Sequence, residues 1–251
     1  MHLGFFYVLN MVVNYTDEGW QIITQRAHGL IAAQICARWK HSLQPDRWLE
    51  TLIATAEHDD VYNEFDDDNL LNASGGPVNF KMTGFRLEFC QKQLTMALTK
   101  SRYIALLIAR HIQFVHGKEP AAGEFCQELK QMEKTWLVES GVTTQEIDAA
   151  YELLEFCDAF SLLICQGLIQ PEQRKIEISN GPDGRCYTFF MDEDAALVVE
   201  PWPFEPKAFK VFYESRTISQ LSFKDVRSFK KAVDLAGICN HELTLKKKNG
   251  K

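Results

Sequence analysis

The chain has 251 residues, 46% of them apolar, with a formal net charge of −7 and a pI near 5.5. That size and apolar content allow a substantial core, which excludes a disordered class and fits one large domain or one domain with an appendage. The acidic balance leaves no broad cationic surface for a nucleic-acid backbone or an anionic membrane, so a small molecule is the expected partner, with no nucleic acid and no membrane.

The seven cysteines, Cys36, Cys90, Cys126, Cys157, Cys165, Cys186 and Cys239, are odd in number and form no CxxC pair. They read as small core residues of a reduced, cytoplasmic protein. The opening stretch His2 to Met11 is apolar but has no Lys or Arg before it, and it is far shorter than the ~20 residues of a membrane span. Met11 begins a cleaner strand pattern, so residues 1–10 are expected to be either a disordered extension or the result of an upstream start choice.

Met11 to Tyr15 and Trp20 to Thr24 are β-prone runs around Thr16-Asp17-Glu18-Gly19, a hairpin pattern. From Gln25 the period becomes helical, with His28, Ile31, Ala32, Ile35 and Trp39 on one stripe. A second helix starts near Pro45-Asp46 and runs through Trp48, Leu52 and Ala56 to about Tyr62. Residues 66 to 84, with three consecutive aspartates and a Gly75-Gly76-Pro77 break, read as a long loop.

Helical patterns resume over 86–98, 102–116 and 121–140. Thr143-Thr144-Gln145-Glu146 is a capping-box signature for a further helix reaching Gly167. After Pro171 the pattern turns to strands, at 175–179, 185–191, 197–200, 208–213 and 243–245, with a short helix over 223–235. The expected fold is thus α+β: a mainly helical bundle over 11–170, which includes the N-terminal hairpin, followed by a small antiparallel sheet over 171–245 that the hairpin is free to join, and a disordered tail from 246 to 251.

Chemistry is suggested by ligand-type residues on apolar stripes. His28 shares its stripe with Ile31, Ala32 and Ile35; His111 lies with Ile104, Leu107 and Ile108; Asp158 lies with Ile147, Tyr151 and Leu154. Burying an ionised aspartate alone would cost several kcal/mol, so Asp158 needs a cation or a set of donors. His58-Asp59 falls at the C-terminal end of the second helix, where the helix dipole favours a cation. Imidazole and carboxylate together suit Fe, Mn, Zn, Co or Ni better than Ca.

The order of His28, then His58-Asp59, then Asp158 resembles the HD superfamily of metal-dependent phosphohydrolases. The segments Asp17 to Trp20, Gln25 to His28, Glu57 to Asp60, Pro77 to Phe80, Arg110-His111 and Trp202 to Phe204 resemble a bacterial family of unknown function, DUF3891, over nearly the whole chain from Met11.

The superfamily resemblance implies an HD-domain-like helical fold and one divalent transition-metal ion held by His28, His58, Asp59 and Asp158. His111 is the additional ligand that a second ion would need. Asp60 and Asp66 would orient water or a ligating histidine, and Arg26 and Arg110 are the candidates for gripping phosphate. The implied activity is hydrolysis of a small phosphorylated molecule. The alternatives are a di-iron oxygenase of HD type, a metal- or ligand-sensing module without catalysis, and hydrogen-bonded polar residues with no ion at all. All metal readings require Asp158 within about 8 Å of His58, since each ligand atom stands ~2 Å from the ion.

Overall fold

The computed structural model describes residues 11–61 and 63–248. The extension expected over 1–10 and the tail beyond 248 lie outside the described residues. The chain opens with the hairpin β1 (Val12–Thr16) and β2 (Gly19–Ile23), then α1 (Gln25–Cys36) and α2 (Trp48–Glu57). After the long loop come α3 (Leu87–Leu98), α4 (Arg102–His116), α5 (Gly123–Ser140) and α6 (Thr144–Cys165). The remainder is β3 (Ile176–Asn180), β4 (Cys186–Met191), β5 (Leu197–Glu200), β6 (Ala208–Ile218), α7 (Val226–Leu235) and β7 (Ile238–Lys247).

Local chemistry accounts for the helix starts. Thr24 accepts the Ala27 N–H and begins α1, Ser101 does the same for α4 through Ile104, and Thr143 with Glu146 closes a full capping box on α6. α5 ends at Gly141, whose φ of 68° is the left-handed cap that a residue with a Cβ resists.

The expectation of a mainly helical bundle with a small antiparallel sheet is corrected. Among the described residues helix makes up 47% and strand 21%, and seven helices accompany a seven-stranded curled sheet, a half-barrel. The strand order is β1-β2-β6-β7-β5-β4-β3. The sheet is mixed, because β5 runs parallel to β7 while the other pairs are antiparallel.

Two strands carry the difference. β6 continues past Tyr213 to Ile218, pairing with β7 over Ala208 to Arg216 and with β2 at its far end. β7 extends in both directions from Leu243–Leu245, through Cys239-Asn240-His241 and into Lys246-Lys247, which therefore belong to the sheet rather than to a tail. These extensions are polar because several of their residues face solvent or pair with one another. The Ser215 hydroxyl meets His241 Nε2 at 2.7 Å, and Lys210 pairs with Glu242 across the strands.

One face of the sheet covers α1 and α6. Ile31, Ile35 and Trp39 meet Phe156 and Phe160 from α6, and Tyr187, Phe189 and Val211 from the sheet, in a buried cluster. A second cluster joins α3, α4, α5 and α6, and a third seats α7 against the hairpin through Phe229 and Val233. Each such large side chain contributes about 1.5–3 kcal/mol when fully buried. Among the described residues no helix is long and apolar enough to cross a membrane. Five cysteines are buried, whereas Cys186 and Cys239 on the strands are exposed.

Candidate metal centre

α1, α2, α4 and α6 bring His28, His58, Asp59, His111 and Asp158 to one point. The close approach of α1 and α2 depends on Gly29, where a Cβ would stand 2.8 Å from the Ala56 carbonyl oxygen. α2 stops at Glu57, and His58 is its C-terminal cap. The chain turns there, so two adjacent side chains that would diverge on a regular helix both face the same interior point. The His58 carbonyl, an unpaired acceptor at the helix end, receives the Gln93 side-chain amide from α3.

Hydrogen bonds fix the tautomers of the two central imidazoles. His58 Nδ1 lies 2.7 Å from the Thr55 carbonyl, which can only accept, so the proton is on Nδ1. Ser161 donates its single hydroxyl proton to the Asp158 carbonyl at 2.8 Å. It must therefore accept from His28 Nδ1, 2.6 Å away. In the neutral rings both Nε2 atoms are left as bare lone pairs, and they face each other at 3.0 Å.

Two carboxylates point at the same spot. Asp158 Oδ1 is 3.2 Å from His58 Nε2 and 3.5 Å from His28 Nε2. Asp59 Oδ2 is 3.4 Å from His28 Nε2 and 3.7 Å from His58 Nε2. Ligand atoms ~2.0–2.1 Å from a common ion stand about 3.0 Å apart in an octahedron and about 3.4 Å apart in a tetrahedron. The spacings fit one small divalent ion without rearrangement.

His111 extends the cluster on the other side of Asp59, with its Nε2 3.4 Å from Asp59 Oδ1. Two overlapping groups, His28/His58/Asp158 and His58/Asp59/His111, thus have ligand atoms within 4.8 Å of one another. They share the one free nitrogen of His58, which can serve a single ion.

The sequence profile of a family described as protein of unknown function, DUF3891, matches residues 11–220. The chain belongs to the DUF3891 family. No curated protein and no solved structure matches it.

In this DUF3891 protein the cluster's electrostatics are those of a cation site. Burial would push the His58 pKa down, but the carboxylates of Asp59 and Asp158 outweigh it and raise it to about 9. Burial likewise opposes ionisation of the two aspartates, yet the charge of His58 and hydrogen bonds from the neighbouring imidazoles hold Asp59 well below the usual carboxylate range and lower Asp158 as well. A proton on His58 thus offsets the two carboxylates that converge on it.

The other candidates stand elsewhere. Asp60 is ion-paired with Arg26 at 2.6 Å, and Asp66, exposed, meets the Asn63 side chain. Arg110 is tied to Glu133 at 2.9 Å and to Asp148 at 3.2 Å. None of these partners belongs to the histidine–aspartate cluster.

A cavity of about 220 Å³ opens onto the cluster and is lined by Asp59, His111 and Asp158. Its guanidinium is Arg86, which stacks on the Phe89 ring at 3.7 Å and pairs with Asp67 and Glu88. His116 also lines it, with Nδ1 2.7 Å from Glu119.

Sequence reasoning missed Arg86, which opens the helical pattern over 86–98 and stands at the N-terminal cap of α3 with none of the expected ligands beside it to mark it. Ser161 lies on the apolar stripe of Asp158, three residues further on, but its bond to His28 carries no signal in the sequence. Glu64, which falls outside every element expected from the sequence, is buried and accepts the Arg26 N–H at the start of α1. A carboxylate there is favoured by the helix dipole.

Because Ser161 holds His28 through Nδ1, Ser161→Ala should leave the fold intact and weaken metal binding by about 10- to 100-fold, the range for partners of a ligating histidine. Competition with a chromogenic chelator reads that change.

Proposed function

We propose that the protein is a metal-dependent hydrolase that acts on a small phosphorylated molecule, with one divalent transition-metal ion held by His28, His58, Asp59 and Asp158. The observation that carries the reading is the convergence of two imidazole Nε2 atoms, 3.0 Å apart, and two carboxylates on one point. Such a set is held together by a cation, either a proton on His58 or a metal ion in its place. A bound ion of this kind supplies Lewis acidity, lowering the pKa of water and offsetting negative charge on phosphate oxygens.

The chain's own residues supply the rest. Two carboxylates balance a divalent charge, so the site is electrically neutral before an anion enters. Arg86 is better situated than Arg26 or Arg110 to grip phosphate, because its partner Glu88 is largely exposed and free to swing aside. Phe80, Phe89, Ile112 and Leu162 add apolar lining to the cavity. The ligand order also resembles that of the HD phosphohydrolases, a likeness resting on these residues alone.

A di-iron oxygenase is less well supported. With His58 committed to the first ion, the second group found among the described residues keeps Asp59 Oδ1 and His111 alone. The full chain, purified without chelators, should carry close to one equivalent of metal and hydrolyse small phosphomonoesters in proportion to metal content. Stoichiometric metal with no turnover across a broad panel of phosphorylated compounds would overturn the hydrolase reading and leave a sensing module. Absence of metal would overturn both.

A further inference from the structure

Gln25, the first residue of α1, sits at the edge of the metal centre and is only 4% exposed. Its Nε2 donates to Asp59 Oδ2 at 3.0 Å. A carboxylate can only accept, so turning the amide over would set two acceptors against each other, and the positions of its oxygen and nitrogen are thereby fixed. The oxygen, Oε1, is buried and has no hydrogen-bond partner among the described residues. Gln25 also lines the cavity, together with Asp59 and Asp158.

A buried acceptor held in one orientation and left without a donor is costly unless something that enters the site provides one. Whatever provides it must lie next to the ligand's anionic head, because the other end of the same amide holds Asp59, one of the residues that would hold the ion. The cavity volume of about 220 Å³ keeps such a ligand compact.

We propose that Gln25 is a specificity residue: it selects a small anionic ligand that carries a hydroxyl or amino donor next to its anionic head. This rests on the metal-hydrolase reading and narrows its substrate class to donor-bearing phosphomonoesters. Sites that hydrogen-bond a hydroxyl reject analogues lacking it, because the site's own polar group is then left unpaired.

The test compares hydroxymethylphosphonate with ethylphosphonate, two non-hydrolysable probes of similar size and charge that differ by OH against CH3. Calorimetric titration of the zinc-loaded full chain should show the hydroxylated probe binding about tenfold tighter. In Gln25→Met that ratio should collapse to within about twofold. If Gln25 merely braces Asp59, the substitution weakens both probes in proportion and the ratio survives, which overturns the proposal.

Equal binding by the unmodified chain, as when a water satisfies Oε1, overturns it as well, and this outcome does not depend on the variant's folding. If neither probe binds a chain that retains its zinc, the phosphate-ester reading fails and takes the inference with it. Discrimination in the wrong direction sinks the inference alone.

Discussion

His58→Ala is expected to abolish stoichiometric metal binding, lowering affinity by more than about 100-fold. Outer partners of ligating histidines already cost 10- to 100-fold when removed, and His58 lies at the centre of the cluster. Its Nε2 is the atom nearest to both His28 Nε2 and Asp158 Oδ1. The alanine variant keeps the two carboxylates and loses the lone pair between them. Metal analysis of the purified variant, with circular dichroism to confirm the helices, checks this. Arg110→Ala is the control, since Arg110 is held by Glu133 and Asp148 and should leave metal content unchanged. Full metal occupancy in His58→Ala would show that the ion, if present, lies elsewhere.

The site was readable from the sequence to the extent that burial periodicity reports it. His28, His111 and Asp158 each sat on an apolar stripe, and all three are buried on α1, α4 and α6. The 3.2 Å separation of His58 and Asp158 is well inside the limit that a shared ion sets. What periodicity cannot report is orientation. The tautomers depend on Thr55 and Ser161, and the convergence of His58 and Asp59 depends on where α2 unwinds. Arg26 and Arg110 were singled out for being near in the sequence to ligands, but adjacent helical residues point about 100° apart. Both are engaged with carboxylates beyond the cluster, while Arg86, 27 residues after Asp59 and 25 before His111, lines the cavity.

The sheet was underread for a different reason. Strand signals were sought as apolar, β-branched runs, and those found only the first half of β6 and a short stretch of β7. Arg216, Thr217, Asn240 and Lys247 form strand ends because their backbones find partners in β2, β5 or the opposite long strand. Pairing of that kind is a tertiary property which overrides local preference. The consequence for the site is mechanical. A seven-stranded half-barrel presses on α1 and α6 through Trp39, Phe156 and Phe160, and thereby fixes the spacing between His28 and Asp158.

The pH dependence of stability should change sign when metal is added. In metal-free protein the His58 pKa is raised from 6.5 to about 9. A group with a raised folded-state pKa contributes stability that is complete below its unfolded value and lost as pH climbs through the folded one. Metal-free protein should therefore be most stable below pH 6.5 on this account and lose on the order of 3 kcal/mol between pH 6.5 and 9. At the acid end the lowered Asp59 and Asp158 act oppositely, withdrawing their contribution as pH falls below the ordinary carboxylate range. With metal present, protons and the ion compete for His58 Nε2, so metal affinity rises over the same alkaline interval and stabilises the folded state increasingly. Thermal unfolding from pH 6 to pH 9, with chelator and then with excess zinc, should give a falling Tm in the first series and a level or rising Tm in the second. In His58→Ala the alkaline decline in chelator should disappear. Parallel curves with and without zinc would mean that the cluster is held by a proton alone and takes no ion.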